Sequence, residues 1–203
     1  MQTSPTVIVV DTSQNRWNER RAVAPSTPSD WLFDSLLTQV HRAGETGLPI
    51  ALVASSHTLR AIQGHVGAMR ITLASHDQVH QEGLAGALRI GVQACSTSPG
   101  WILLPSDVPM LNPATLSELS ALLGQHPVTY VTHRGGVNLP MGFAPELFSE
   151  LMRIHTNREL MRLVNRYPSR ALEVPEPDLR PRESGLVDAP LPHLHRHSNA
   201  LKG

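Results

Sequence analysis

Trp101 to Leu104 (WILL) is apolar at four consecutive positions, and the run stops at Pro105, Ser106, Asp107, Val108 and Pro109. A strand that is apolar on both faces needs cover on both, which places it inside a parallel sheet sandwiched by helices. Parallel strands in turn need long crossovers, usually helical. The remaining sequence supplies both kinds of element. Thr6 to Val10 (TVIVV), Pro49 to Ala54 (PIALVA), Met69 to Leu73 and Val128 to Thr132 (VTYVT) read as further strands, with Ala171 to Val174 as an edge strand.

Helices alternate with them. From Asp30, the residues Trp31, Leu32, Leu36, Leu37 and Val40 recur at helical spacing, with Ser29 or Asp30 as cap and Gly44 as stop. A second helix is expected near Thr58 to Val66. A third runs from Gly83 to Cys95, with Leu84, Leu88 and Val92 on one stripe. Asn112 caps a fourth, Pro113 takes its first position and Gly124 ends it. Pro145 to Ile154 and Asn157 to Tyr167 follow, the latter opened by a capping box of Thr156 and Glu159. The pattern predicts an α/β fold, a Rossmann-like three-layer sandwich with a mainly parallel central sheet and right-handed crossovers. Its ligand crevice is expected at the carboxyl ends of the strands.

The length of 203 residues suits one domain, taken as 1–192, with 193–203 as a flexible His-containing tail. Seventeen basic and seventeen acidic residues balance, which argues against a nucleic-acid or anionic-membrane partner. One cysteine, Cys95, makes no internal disulfide, and the N-terminus lacks the features of a secretory signal, so a cytoplasmic location is the expectation. His193, His195 and His197 alternate on the tail without a preorganised second shell and are not read as a metal site. His57, His65, His76 and His80 are read as surface residues.

Asp107 carries the chemistry if any single residue does. An aspartate just past a buried strand can face the crevice and hold a magnesium ion beside substrate phosphates. It can also be a turn residue that caps local backbone donors. Asp188, in "GLVDAP", repeats the pattern and could meet Asp107 as a second metal-coordinating carboxylate. Glycines in Gly83 to Gly91 either bring backbone N–H groups close to a ligand or let a helix pack tightly on the sheet. Arg16, Arg20 and Arg21, on the loop after the first strand, can clamp a triphosphate or simply be solvated. Neither G-x-G-x-x-G nor a P-loop is present.

Together, "EGLAGALRIGVQA", "WILLPSDVPMLNPATLSELSALL", "NLPMGFAPELFSEL" and "GLVDAPLPHL" resemble the MobA-like nucleotidyltransferases, most closely their molybdenum-cofactor cytidylyltransferase branch. The resemblance runs from about Thr6 to Leu194. It implies transfer of a nucleoside monophosphate from an NTP (CTP or GTP) to a phosphorylated acceptor such as molybdopterin, with release of pyrophosphate. It implies Mg2+ held by Asp107 and Asp188, and Arg16, Arg21 and Asp107 as catalytic residues. Nucleotide-binding residues would be Val10, Asp11 and Thr12 on the first loop, and Gly83, Leu84, Ala85, Gly86 and Ala87. The first loop departs from the family pattern: Val9, Val10, Asp11 and Thr12 replace small residues, Asn18 replaces a glycine, and Arg21 stands for a lysine. At the later turns, Leu186 replaces an aspartate and Leu139 a histidine. The departures admit an alternative, a catalytically degenerate accessory or regulatory protein in molybdenum-enzyme maturation, whose partner would be a molybdoenzyme apoprotein.

Overall fold

A computed structural model describes residues 3–12, 28–66, 69–77, 79–108, 112–133 and 136–174. The strands are β1 (Thr6–Val10), β2 (Ile50–Ala54), β3 (Ile71–Ser75), β4 (Trp101–Pro105), β5 (Val128–His133), β6 (Gly136–Phe143) and β7 (Ser169–Glu173). The helices are α1 (Pro28–Glu45), α2 (Ser56–Ile62), α3 (Val79–Ala94), α4 (Pro113–Leu123), α5 (Phe148–Leu151) and α6 (Asn157–Arg166).

The described strands form one seven-stranded sheet in the order β3-β2-β1-β4-β6-β5-β7. Every pairing is parallel except the two that involve β6. The sheet is therefore mixed and mostly parallel, as expected of an α/β sandwich. α3 packs on β1, β2 and β3 and also meets α5 and α6, whereas α1 packs on β1 and β2 and meets α4. α4 in turn lies against β4, β5, β6 and β7. All residues of β1, β2 and β4 are buried, as double-sided helical cover requires.

Several boundaries differ from the sequence reading, each for a local reason. β6 is absent from that reading because Pro140 and two glycines break its apolar pattern. The structure accommodates Pro140 where the β5–β6 register jumps: Tyr130 pairs with Met141, but Val131 pairs with Asn138. A proline has no N–H to give a ladder, so an irregularity is where it fits; the Leu139–Pro140 bond is cis. β3 starts two residues later than expected, and β7 does lie at an edge. α3 begins before Gly83, which interrupts it with φ +60°, a conformation glycine adopts without steric cost. The helix expected over 145–154 is a 3-10 turn at Pro145–Leu147 followed by the single turn α5.

His76 is 5 % exposed, which corrects its reading as a surface residue. Being the residue just after β3, it lies under α3 beside Gly86 and 4.0 Å from Glu82 Oε2. Among the described residues no helix is long and apolar enough to cross a membrane. The boundary expected near 192 and the tail at 193–203 lie outside the described residues.

Candidate active site

Chain order makes the site. β1, β2 and β3 are laid down in one direction across the sheet, and α3 then carries the chain back to β4 on the other side of β1. In an open α/β sheet such a reversal leaves a crevice at the strands' carboxyl ends, here between β1 and β4. The residues at that point are Asp11 and Thr12 after β1, and Ser106 and Asp107 after β4.

The two segments are tied together. Ser106 N–H donates to the Val10 carbonyl at 2.9 Å, extending the ladder past β4. Thr12 N–H donates to Ser106 Oγ at 3.1 Å, and the two hydroxyl oxygens lie 2.9 Å apart. Val108 N–H donates to the Pro105 carbonyl at 3.3 Å. The latter bond closes a β-turn with Ser106 and Asp107 at its centre. Asp107 is thus a turn residue, as one reading of the sequence had it.

Its carboxylate is nevertheless not satisfied by the turn. Oδ1 is buried and has no hydrogen-bond partner. Burial pushes the Asp107 pKa above its ordinary value, while the Thr12 hydroxyl and the residue's own amide pull it partly back. One proton arrangement suits all of these contacts: Ser106 Oγ accepts from Thr12 N–H and donates to Thr12 Oγ1, which donates to Asp107. A carboxylate with one buried, unpartnered oxygen costs free energy unless a proton, a donor or a cation joins it.

Among the described residues, the other expected site residues fall into two groups. Val10, Asp11 and Thr12 are all buried at the end of β1. Asp11 N–H donates to the Val53 carbonyl at 2.9 Å, so the amides of Asp11 and Thr12 are both engaged within the fold. Leu84, Ala85 and Ala87 are buried at the restart of α3 after Gly83. Asn157, the first residue of α6, accepts a hydrogen bond from Ala85 N–H at 3.1 Å and lies against Gly83. Gly91, by contrast, serves packing, since a Cβ there would lie 2.5 Å from Ile8 Cγ2 on β1. Arg16, Arg21 and Asp188 lie outside the described residues.

Sequence reasoning missed the residues that hold the Asp107 turn. Thr12 was expected to border the nucleotide, with no role given to its hydroxyl, and Ser35 and Gln39 of α1 were not singled out at all. A signal for Gln39 does exist in the sequence. It interrupts the stripe Leu36, Val40 and Ala43 with a polar side chain, one turn after Ser35. Among the described residues no group of three or more His, Cys, Asp or Glu gathers as a metal cluster. A hollow of about 330 Å³ lined by Gly44, Leu48, Met69 and Arg70 lies at the amino ends of β2 and β3, opposite the Asp107 turn.

A mostly parallel sheet between helices, with a switch point and an unsatisfied carboxylate oxygen after the central strand, defines an α/β protein with a ligand crevice at that point. The MobA-like NTP transferase domain model matches residues 29–171, and the chain belongs to that family of nucleotidyltransferases. The match begins beyond β1 and the divergent first loop.

Solved structures share the fold. Rv0371c from Mycobacterium tuberculosis H37Rv is 22% identical with a TM-score of 0.65, over 86% of this chain and 89% of that one. The same protein is known in complex with manganese, matching at 21% identity with a TM-score of 0.61. A nucleotidyl transferase from Methanothermobacter thermautotrophicus is 15% identical with a TM-score of 0.63, over 87% and 89% of the two chains. The 4-diphosphocytidyl-2C-methyl-D-erythritol synthase of Anaerococcus prevotii is 7% identical with a TM-score of 0.60, over 90% and 94%. No curated protein matches the chain in sequence.

Proposed function

We propose that the chain transfers a nucleoside monophosphate from CTP or GTP to a phosphorylated acceptor, molybdopterin being the first candidate, and releases pyrophosphate. An acceptor phosphate oxygen bonds to the α-phosphorus, the bond from that phosphorus to the β-bridging oxygen breaks, and pyrophosphate departs. The single observation that carries this reading is Asp107, whose buried Oδ1 lacks a partner at the switch point of a nucleotidyltransferase fold.

Asp107 suits a divalent cation on three counts: a hard oxygen donor, a buried Oδ1 without a partner, and an electrostatic deficit that a positive charge would relieve. The manganese complex of Rv0371c supports a divalent metal in this fold, and Mg2+ is the proposed ion here. When bound, such an ion neutralises phosphate charge as the pyrophosphate departs. Asp107 would hold it, with Asp188 as the proposed second carboxylate. Thr12 donates its hydroxyl to Asp107 and so keeps that carboxylate oriented. Arg16 and Arg21 are proposed to meet the triphosphate through bidentate contacts. Val10, Asp11 and Thr12, with Gly83 to Ala87, are proposed to border the nucleotide.

The test is pyrophosphate release with each triphosphate and a panel of phosphorylated acceptors. Turnover with CTP or GTP and one acceptor supports the reading; absence of release with every pair refutes it. The accessory reading draws on a separate observation: both amides after β1 are spent on Val53 and Ser106, and Asp11 brings a carboxyl group where the family has a small residue. A thermal-shift series with CTP, GTP and ATP plus magnesium distinguishes the two. Binding at a hundred times Kd adds about 2.7 kcal/mol of stability, and no shift with any nucleotide favours the accessory role.

A further inference from the structure

Helix α1 holds the Asp107 turn from behind. Ser35 and Gln39 are four residues apart on that helix, so they emerge from one face a turn apart. Ser35 Oγ donates to the Ser106 carbonyl at 2.6 Å, and Gln39 Nε2 donates to the Val108 carbonyl at 2.6 Å. The Ser106 carbonyl lies in the peptide that leads into Asp107, and the Val108 carbonyl closes the residue that follows it, so Gln39 anchors the far end of the turn. The peptide between Asp107 and Val108 is fixed separately, by Val108 N–H on the Pro105 carbonyl, and the one before Ser106 by the Val10 carbonyl. Every peptide plane that sets the direction of the Asp107 Cβ is therefore pinned.

Gln39 is a costly choice if packing is all it does. It is only 2 % exposed, on a helix face whose neighbours Leu36, Val40 and Ala43 are buried and apolar. A methionine would fill similar space without desolvating an amide. What the amide adds is one directed bond to the turn. A carboxylate that must meet a metal within a few tenths of an ångström depends on such supports, because metal ligands are aimed by the groups behind them.

We propose that Ser35 and Gln39 are positioning residues that fix the direction of the Asp107 carboxylate and thereby set the affinity of the site for a divalent cation. The proposal rests on the reading of Asp107 as a metal ligand.

The experiment titrates Mn2+ into the full chain and follows the free-ion signal by electron paramagnetic resonance. Asp107→Asn is measured first and is expected to lose the site. Gln39→Met and Ser35→Ala are expected to weaken Mn2+ binding, and the double variant to weaken it roughly 10–100-fold, the usual cost of removing supports behind metal ligands. Gly91→Ala, whose strain lies between α3 and β1, serves as a destabilised control with unchanged affinity. If Asp107→Asn loses Mn2+ while Gln39→Met binds it like the wild type, the positioning role is refuted and the Asp107 reading stands. Should Gln39→Met not fold, Ser35→Ala decides by the same criterion. If Asp107→Asn binds Mn2+ normally, the Asp107 reading fails and the positioning role falls with it.

Discussion

Replacing Asp107 by asparagine separates the cost of this carboxylate to the fold from its use to a ligand. In the wild type, Oδ1 is buried without a partner, and burial raises the pKa above the ordinary value near 3.8. A raised native pKa means that the folded chain binds more protons than the unfolded one between 3.8 and the native value. Stability contributed by this residue therefore falls as pH rises through that window, and the deficit persists at neutral pH. Asparagine keeps the shape and an acceptor for the Thr12 hydroxyl but carries no charge to desolvate. A buried unpartnered group costs about 1–3 kcal/mol when neutral and more when charged; asparagine keeps the neutral cost and sheds the excess, so recovery on the order of 1 kcal/mol is expected, or roughly 2–4 °C in Tm for a chain of this size. The assay is thermal unfolding by circular dichroism in EDTA from pH 3 to 8. Asp107→Asn should melt above the wild type at pH 7, and the gap should close below pH 3.8. Adding Mn2+ should reverse the order, because saturation at a hundred times Kd adds about 2.7 kcal/mol to the wild type alone, or roughly 5–11 °C. A variant that melts below the wild type at pH 7, by an amount that does not change with pH, would refute the electrostatic argument.

Three further measurements address the scaffold. Gly91→Ala places a methyl group against Ile8 and should destabilise the chain by about 1–3 kcal/mol, read as a lowered Tm; an unchanged Tm would show that α3 can move off β1 at no cost. Thr156→Ala removes the hydroxyl that accepts from Glu159 N–H and half of a reciprocal capping box, with an expected loss of about 1 kcal/mol in urea unfolding. His76 has its pKa held below 6.5 chiefly by burial, against the pull of Glu82. The folded chain then binds fewer protons than the unfolded one below pH 6.5, so stability falls as pH drops through the window beneath it. In His76→Gln that part of the pH slope should vanish from a Tm series, and an identical slope would contradict the buried neutral imidazole.

Elements whose information is local were legible from the sequence. Asn112 caps α4 through Oδ1, which accepts from Ala114 N–H at 3.0 Å, and Gly124 follows its last turn. The capping box of Thr156 and Glu159 opens α6 as its spacing required. Trp101 to Leu104 lies inside the sheet because no apolar quartet of that kind can face water. β6 was not legible, since Pro140 is tolerated only through a register irregularity that depends on β5. The burial of His76 was equally hidden, because the cover comes from α3 and from a glycine ten residues away.

The site divides along the same line. Asp107 stood out because a strand, a turn and a proline surround it in the chain. The residues that give it chemical character are distant: Thr12 lies 95 positions earlier, and Ser35 and Gln39 come from a helix whose amphipathic pattern is read for its apolar members. The apolar periodicity of α1 assigns a buried position to the core and is silent on what it does there. Gln39 shows why that step loses information, because an amide at a core position is held there by a particular acceptor, here the Val108 carbonyl. A polar residue on an apolar stripe therefore points to whatever backbone it bonds, and in this chain that backbone belongs to the turn bearing the one buried carboxylate oxygen without a partner among the described residues.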